Sequence, residues 1–240
     1  MTALPRPLSA PLVALLLVNC SPPGPPQEQK EGTITISGVT EDGITDAPLP
    51  DVEICVHERD DIPCTKSDLA ANFSLINVPQ SSEIMLKFFK FGYYEHLAMF
   101  TTTTENENFH YGLVSNDGMT LMTGTVGVSI DDNKSQIIFG TNDRKGGERV
   151  EGVSVSISPS VEDGHGPFYQ TDNGLDGDLT ATTAKGIGAF LNLEPGDYEL
   201  TFTAPGKTCT PHFAWKGSGD GKVKIRLVAG HSTYASAICN

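Results

Sequence analysis

The chain has 240 residues, a formal net charge of −14 at pH 7 and a pI near 4.7. So acidic a composition argues against nucleic acid and anionic lipid headgroups as partners, because both need clustered basic side chains. Hydrophobic residues make up 38% and charged ones 19%, enough apolar mass for one large or two small packed domains.

The N-terminal segment carries a single positive charge, Arg6, followed by the apolar run Pro11 to Val18. That run suits a secretory h-region and is far short of the roughly 20 residues of a membrane-spanning helix. Leu15-Leu16-Leu17-Val18-Asn19 then leads into Cys20 and the spacer Ser21-Pro22-Pro23-Gly24-Pro25-Pro26. This arrangement resembles a bacterial lipoprotein signal. The resemblance implies that residues 1–19 are removed, that Cys20 carries lipid, and that the protein works outside the cytoplasm, anchored to a bacterial outer membrane. An ordinary signal peptide cleaved nearby is the alternative. Acyl chains bury CH₂ groups worth about 0.8 kcal/mol each, and two signals hold a protein on a bilayer. Residues 20–31, rich in Pro, Gln and Glu, are expected to form an extended tether.

With Cys20 set aside, Cys55, Cys64, Cys209 and Cys239 remain. An even number in an oxidising compartment suggests disulfides. Three pairings are open, of which Cys55–Cys64 and Cys209–Cys239 close the shortest loops. Zinc is the rival, but no Cys-x-x-Cys or His-x-x-x-His spacing supports it.

Along the rest of the chain, short runs of Thr, Val, Ile and Phe alternate with polar residues and are broken by Gly, Pro, Asn and Asp. Thr33-Ile34-Thr35-Ile36, Val52-Glu53-Ile54-Cys55-Val56, Val153-Ser154-Val155-Ser156-Ile157, Tyr198-Glu199-Leu200-Thr201-Phe202 and Lys222-Val223-Lys224-Ile225-Arg226-Leu227 are examples. This is strand periodicity, and no helix of ten or more residues stands out. The fold class is all-β, of the sandwich type.

The punctuation repeats. Gly38-Val39, Pro48-Leu49-Pro50-Asp51-Val52-Glu53-Ile54, Asn72-Phe73-Ser74-Leu75 and Asn77-Val78-Pro79 form one copy. Gly124-Thr125-Val126, Val150-Glu151-Gly152-Val153-Ser154-Val155, Gly188-Ala189-Phe190-Leu191 and Asn192-Leu193-Glu194-Pro195-Gly196 form the second. The second copy is longer, with insertions expected within Asp131 to Glu148 and within Ser158 to Asp178. The boundary falls near Ser115-Asn116-Asp117-Gly118, giving units at 32–115 and 116–240.

The order Gly-x-Val, a Val-x-Val strand, then Gly188-Ala189-Phe190 through Leu193, Pro195-Gly196 and Tyr198 resembles the carboxypeptidase regulatory-like domain. That family has a transthyretin-like (prealbumin-like) fold. The resemblance implies two tandem Greek-key β-sandwiches with a structural or contact-making role rather than a catalytic one.

Several residues invite a chemical role. Asp172, Asp176 and Asp178, set among Asn173, Gly174 and Gly177, could offer oxygen ligands to calcium, although the same residues are good turn formers. Gly166-Pro167-Phe168-Tyr169 resembles a motif of intradiol ring-cleaving dioxygenases, which implies ferric iron held by two Tyr and two His. Tyr169, Tyr198, His212 and His231 would have to converge, yet the expected Tyr-x-x-Arg-Pro-x-His-x-His segment is missing. Phe88, Phe89, Phe91, Tyr93 and Tyr94 could stack on sugar rings or fill a core, and Trp215 could cover a disulfide near Cys209. No nucleophile with a base in context and no phosphate-cradling loop is found. The expectation is therefore a membrane-anchored binding or scaffold protein without cofactor, whose partner is an envelope protein, a peptide or a glycan.

Overall fold

The computed structural model describes residues 30–240. The signal segment 1–19, Cys20 and most of the 20–31 tether lie outside the described residues. The first half contributes β1 (Thr33–Asp42), β2 (Glu53–Val56), β3 (Thr65–Lys66), β4 (Asn72–Pro79), β5 (Glu83–Phe89), β6 (Glu95–Thr101) and β7 (Glu107–Leu113). A nine-residue helix α1 (Asn116–Gly124) follows, N-capped by the Ser115 hydroxyl, which accepts from the Gly118 N–H. It stands where the sequence suggests a boundary. The second half contributes β8 (Ser135–Asn142), β9 (Ser154–Ser158), β10 (Phe168–Thr171), β11 (Gly174–Asp176), β12 (Ile187–Leu193) and β13 (Gly196–Thr203). It ends with β14 (Cys209–Pro211), β15 (Trp215–Lys216), β16 (Lys222–Leu227) and β17 (His231–Cys239). The all-β sandwich expected from strand periodicity is the architecture observed.

Three sheets build it. A three-stranded sheet runs β4-β1-β7, and a four-stranded one runs β15-β16-β13-β9. Between them a ten-stranded sheet runs β11-β10-β12-β8-β17-β6-β5-β2-β3, with β14 paired to β17. The long sheet joins the halves edge to edge. The C-terminal strand β17 lies parallel to β8 on one side and to β6 on the other, pairing His231 with Glu95 through Tyr234 with Ala98. Two edges that would otherwise template foreign strands are thereby covered.

The two halves bury opposite faces of this sheet. On β5 and β6, Leu86, Phe88, Ala98 and Phe100 pack under the three-stranded sheet against Ile34, Ile36, Phe73 and Leu75. Met85, Leu97 and Met99, of the other parity, join the second core with Phe139, Phe190, Leu200, Phe202, Val223 and Ile225. Alternation sends successive side chains to opposite faces, so a strand covered on both sides reads as continuously apolar. β8 is buried from Ser135 to Thr141. Its outward face meets α1 through Ile138, Met119, Val114 and Tyr94.

A repeat is written into the hydrogen bonds. Thr40 Oγ1 donates to Leu49 O at 2.6 Å, and the Leu49 N–H returns to Thr40 O at 2.9 Å. Ser67 Oγ donates to Leu49 O and accepts the Val52 N–H at 2.9 Å. In the second half Thr141 Oγ1 donates to Val150 O at 2.8 Å, and the Val150 N–H returns to Thr141 O. Thr182 Oγ1 donates to Val150 O and accepts the Val153 N–H at 3.0 Å. This pairing corrects the opening of the second copy. Gly124-Thr125-Val126 is the end of α1 and the turn after it, whereas the partner of β1 is β8. The stretch within Asp131 to Glu148, expected as an insertion, holds that buried strand. Within Ser158 to Asp178 lies added structure, the β10–β11 hairpin, which extends the long sheet.

Both short-loop disulfides are formed, Cys55–Cys64 and Cys209–Cys239. The second clamps β14 onto β17 at paired positions, and Trp215 shares its core cluster, with its indole N–H donated to Ile84 O at 3.1 Å.

Candidate functional site

Where the halves meet, a groove of about 810 Å³ opens between β7 and the segments carrying Lys145, Arg149 and Pro211 to Lys216. That volume is in the range of ligand clefts. Its inner wall is aromatic. Phe213, from the second half, packs into the first core. It stands edge-on to Phe109 at 5.2 Å and tilted to Tyr234 at 5.7 Å, while Tyr111 meets Tyr234 perpendicularly at 6.1 Å. Such edge-to-face contacts fix ring orientation. Phe88 stacks on Tyr111 from the core side at 4.0 Å. Backbone bonds pin Phe213 itself, with its N–H donated to Ser236 Oγ and its carbonyl accepting the Ser236 N–H, both at 3.1 Å.

Charge is arranged along this wall. Arg149 Nη1 donates to Asn142 Oδ1 at 3.3 Å and to Tyr234 Oη at 3.4 Å. Both partners are neutral, and among the described residues no carboxylate forms an ion pair with Arg149. Gly140 makes room for this contact: a Cβ there would come within 2.3 Å of Tyr234 Oη and 2.9 Å of Arg149 Nη1. Lys145 spans the opening to Glu107 at 3.4 Å. Glu41 faces His110 at 3.8 Å toward the other end of β7.

Two histidines line the groove in neutral form. Burial, with a smaller contribution from Lys145, brings the pKa of His212 down to about 4; its Nδ1 lies 3.3 Å from Ser236 Oγ. His96 is fully buried, and desolvation, helped by His231, also brings its pKa down to about 4. The Val114 N–H donates to His96 Nε2 at 3.1 Å, so the ring proton sits on Nδ1. The Tyr111 hydroxyl is pushed well above its usual pKa by burial. At neutral pH the groove thus offers rings, two neutral imidazoles, the carboxylates of Glu41, Asp46 and Glu107, and in Arg149 and Lys216 two cations with no ion-pair partner among the described residues, a surface suited to binding.

The sequence-derived candidates sit elsewhere. Asp172 is paired with Lys185 at 2.8 Å, and Asp176 Oδ1 accepts the Asp178 N–H at 2.8 Å, the geometry of a turn. Among the described residues no group of three or more His, Cys, Asp or Glu is placed to hold a metal ion. The dioxygenase quartet is dispersed among separate partners. The Tyr169 hydroxyl accepts the Val155 N–H within the second core, and the Tyr198 hydroxyl donates to Glu194 O. His212 lines the groove, and His231 pairs with Glu95 at 3.0 Å. In the aromatic run, Phe88 and Tyr94 are buried, Tyr93 donates to Asp42 at 2.9 Å, and Phe89 and Phe91 are exposed. Phe109, Tyr111, Arg149 and Tyr234 of the groove are not among the sequence-derived candidates. The one local signal was the alternation of Phe109 and Tyr111 in β7; nothing links them to Arg149 before the chain folds.

No family model and no curated protein matches this chain. Similar solved structures include the Bacillus anthracis TIE protein, 12% identical with a TM-score of 0.30 over 87% of this chain and 34% of that one. The streptococcal ancillary pilin is 12% identical with a TM-score of 0.26, covering 87% of this chain and 63% of that one. The minor pilin GBS52 of Streptococcus agalactiae is 10% identical with a TM-score of 0.27, covering 85% and 95%. The chain thus spans about a third of the length of the first and under two thirds of the second. At these values the likeness carries no argument about function. Among the described residues no helix is long and apolar enough to cross a membrane.

Proposed function

We propose that this chain is an extracytoplasmic lipoprotein of a bacterial cell envelope that holds a two-sandwich binding module on the outer membrane and carries out no chemistry itself. The observation that carries the binding role is the groove: four aromatic rings and a guanidinium without a carboxylate partner, fixed between two sandwiches that share one sheet. Rings held in place and a preoriented cation cost little entropy on binding. Two disulfides in about 200 residues suit an oxidising compartment, and the lipoprotein-like approach to Cys20 supplies the anchor. A glycan is the second occupant, because Phe109 is only half-buried in the aromatic wall of a groove that Arg149 also lines.

Mass spectrometry of the mature protein tests the anchor. An N-terminal, lipid-bearing Cys20 is expected, and an unmodified N-terminus elsewhere overturns it. Peptide and glycan arrays probed with wild type, Phe109→Ala and Arg149→Ala test the groove. Binding that survives both substitutions unchanged, or no binding to either array, would remove it as the functional site.

A further inference from the structure

We infer that the groove takes an extended peptide bearing a carboxylate, which adds as a strand to the free edge of β7. This deepens the reading of the groove as the binding surface and rests on it. Residues Glu107 to Gly112 all line the groove without a gap. Alternate side chains of a strand point to opposite faces, so a cavity sees consecutive residues only along the strand's edge.

The backbone geometry says which groups are open. Among the described residues β7 pairs with β1 alone. Leu113 O accepts the Gly43 N–H, Glu107 O accepts from Ser37 Oγ, and Phe109 O lies so near Gly38 that a Cβ there would come within 1.9 Å. The odd-numbered residues therefore turn their N–H and C=O groups toward β1. Those of Asn108, His110 and Gly112 face the other way, into the groove, and no described strand pairs with them. An open row of donors and acceptors is a template for strand addition.

Charge selects among peptides. Arg149 and Lys216 lie on the wall opposite β7 with no carboxylate in ion-pair contact among the described residues, in a chain of net charge −14. Lys145 already neutralises Glu107, and the other lining carboxylates, Glu41 and Asp46, stand toward the opposite end of β7, where Glu41 faces His110. An incoming carboxylate would meet Arg149 beside the Tyr234 hydroxyl, where a planar guanidinium gives directional bonds. Main-chain pairing would supply affinity that tolerates varied sequence, and the aromatic wall would accept alternate side chains. The chain's own Pro-rich segment is a poor occupant, since Pro22, Pro23, Pro25 and Pro26 bring no N–H to the ladder.

The test pans a phage-displayed library of random octapeptides on wild type, His110→Pro and Arg149→Glu. His110→Pro removes a groove-facing N–H at an edge position, where proline is tolerated, and circular dichroism checks that each variant folds. Wild type is expected to enrich peptides with acidic residues. Their affinity should fall at least about tenfold in His110→Pro and about three- to tenfold in Arg149→Glu. In the wild type the amide NMR signals of Asn108, His110 and Gly112 should shift on titration. Equal enrichment on wild type and His110→Pro, or no enrichment at all, overturns the inference. If His110→Pro does not fold, an enriched peptide carrying N-methyl groups at alternate amides replaces it, and unchanged affinity for both methylation frames refutes strand addition. Binding of an oligosaccharide array without any peptide would refute the peptide while leaving the groove as the binding site. Binding of neither would remove both.

Discussion

The two halves of this molecule tie the same knot and then use it differently. Around Thr40 and around Thr141 a buried threonine hydroxyl, a returning N–H and a second hydroxyl (Ser67 or Thr182) close the same loop onto the following strand. Each half also holds an asparagine at positive φ, Asn77 and Asn192, at matching places near the ends of β4 and β12. The surroundings differ. The Thr40 knot anchors the turn that brings Glu41, Gly43 and Asp46 to one end of the groove, with Leu69 exposed on its outer side. The Thr141 knot anchors the turn that carries Lys145 and Arg149 to the groove. What the comparison teaches is that the hydrogen-bonded frame sets the sandwich, while the segments hung from it decide the charge each half brings to the groove, carboxylates from the first and cations from the second.

The largest difference expected between the halves comes from their disulfides. Cys209–Cys239 closes a loop with a separation of 30 residues and is buried, whereas Cys55–Cys64 closes one of 9, with Cys64 exposed. Chain-entropy reasoning gives about 4 kcal/mol for the first and about 3 kcal/mol for the second. Urea unfolding of the two double Cys→Ala variants should show that order. An equal or reversed cost would mean that the β14–β17 clamp is not what holds the second half.

The seam between the halves should be sensitive to acid. His96 lies in β6 where β17 joins it, and its pKa falls to about 4 on folding because burial disfavours the charged ring. Between an unfolded pKa near 6.5 and this value, the unfolded chain binds a proton that the folded one does not. Stability is therefore full above about pH 6.5 and is lost as pH falls toward 4, by roughly 3 kcal/mol for this group. Half-buried His212 adds to the same window. His96→Gln keeps an acceptor for the Val114 N–H and should flatten the slope measured by urea unfolding at stepped pH. An unchanged slope would show that the seam does not titrate.

Much of the frame was legible in the chain and the groove was not. Val52, Ile54, Val153, Val155, Leu200 and Phe202 alternate because one face of their strands is covered, and period two survives in sequence. Asn77-Val78 and Asn192-Leu193 marked equivalent strands through the asparagine that the backbone needs at positive φ. β8 shows the opposite: burial on both faces makes Gln136-Ile137-Ile138-Phe139-Gly140 an unpatterned run, and the sequence predicts an insertion where the structure has a buried strand. The cysteine pairs followed from loop economy. The groove draws Phe109 and Tyr111 from one half, and Arg149, Phe213 and Tyr234 from three separate places in the other. No local pattern connects them, because it is the β6–β17 seam that brings them together.

The knots themselves offer a matched pair. Thr40→Val and Thr141→Val keep shape and remove the hydroxyl, leaving carbonyls of Leu49 or Val150 without that donor. Each should cost about 1–3 kcal/mol, and thermal unfolding should show nearly equal losses. A much larger loss for Thr141 would mean that the groove wall is cooperative with the second core, and would break the equivalence on which the repeat rests.

The smallest effect separates the two asparagines. Asn77 uses Oδ1 to accept the Lys30 N–H at 2.8 Å. Asn192 uses Oδ1 to accept the Asp131 N–H at 3.0 Å and a bond from Gln136 Nε2, and it donates to Ser129 O at 2.8 Å. Glycine takes positive φ without strain, so Asn→Gly at either site isolates the side-chain bonds from the backbone requirement. Asn77→Gly should cost less than about 1 kcal/mol, and Asn192→Gly about 1–2 kcal/mol. Hydrogen exchange should place the second loss at the segment between α1 and β8, because Ser129 and Asp131 are the groups released. Equal costs would mean that this segment is held by its apolar contacts through Val128 and Ile130, and that the extra bonds of Asn192 follow the packing rather than fix it.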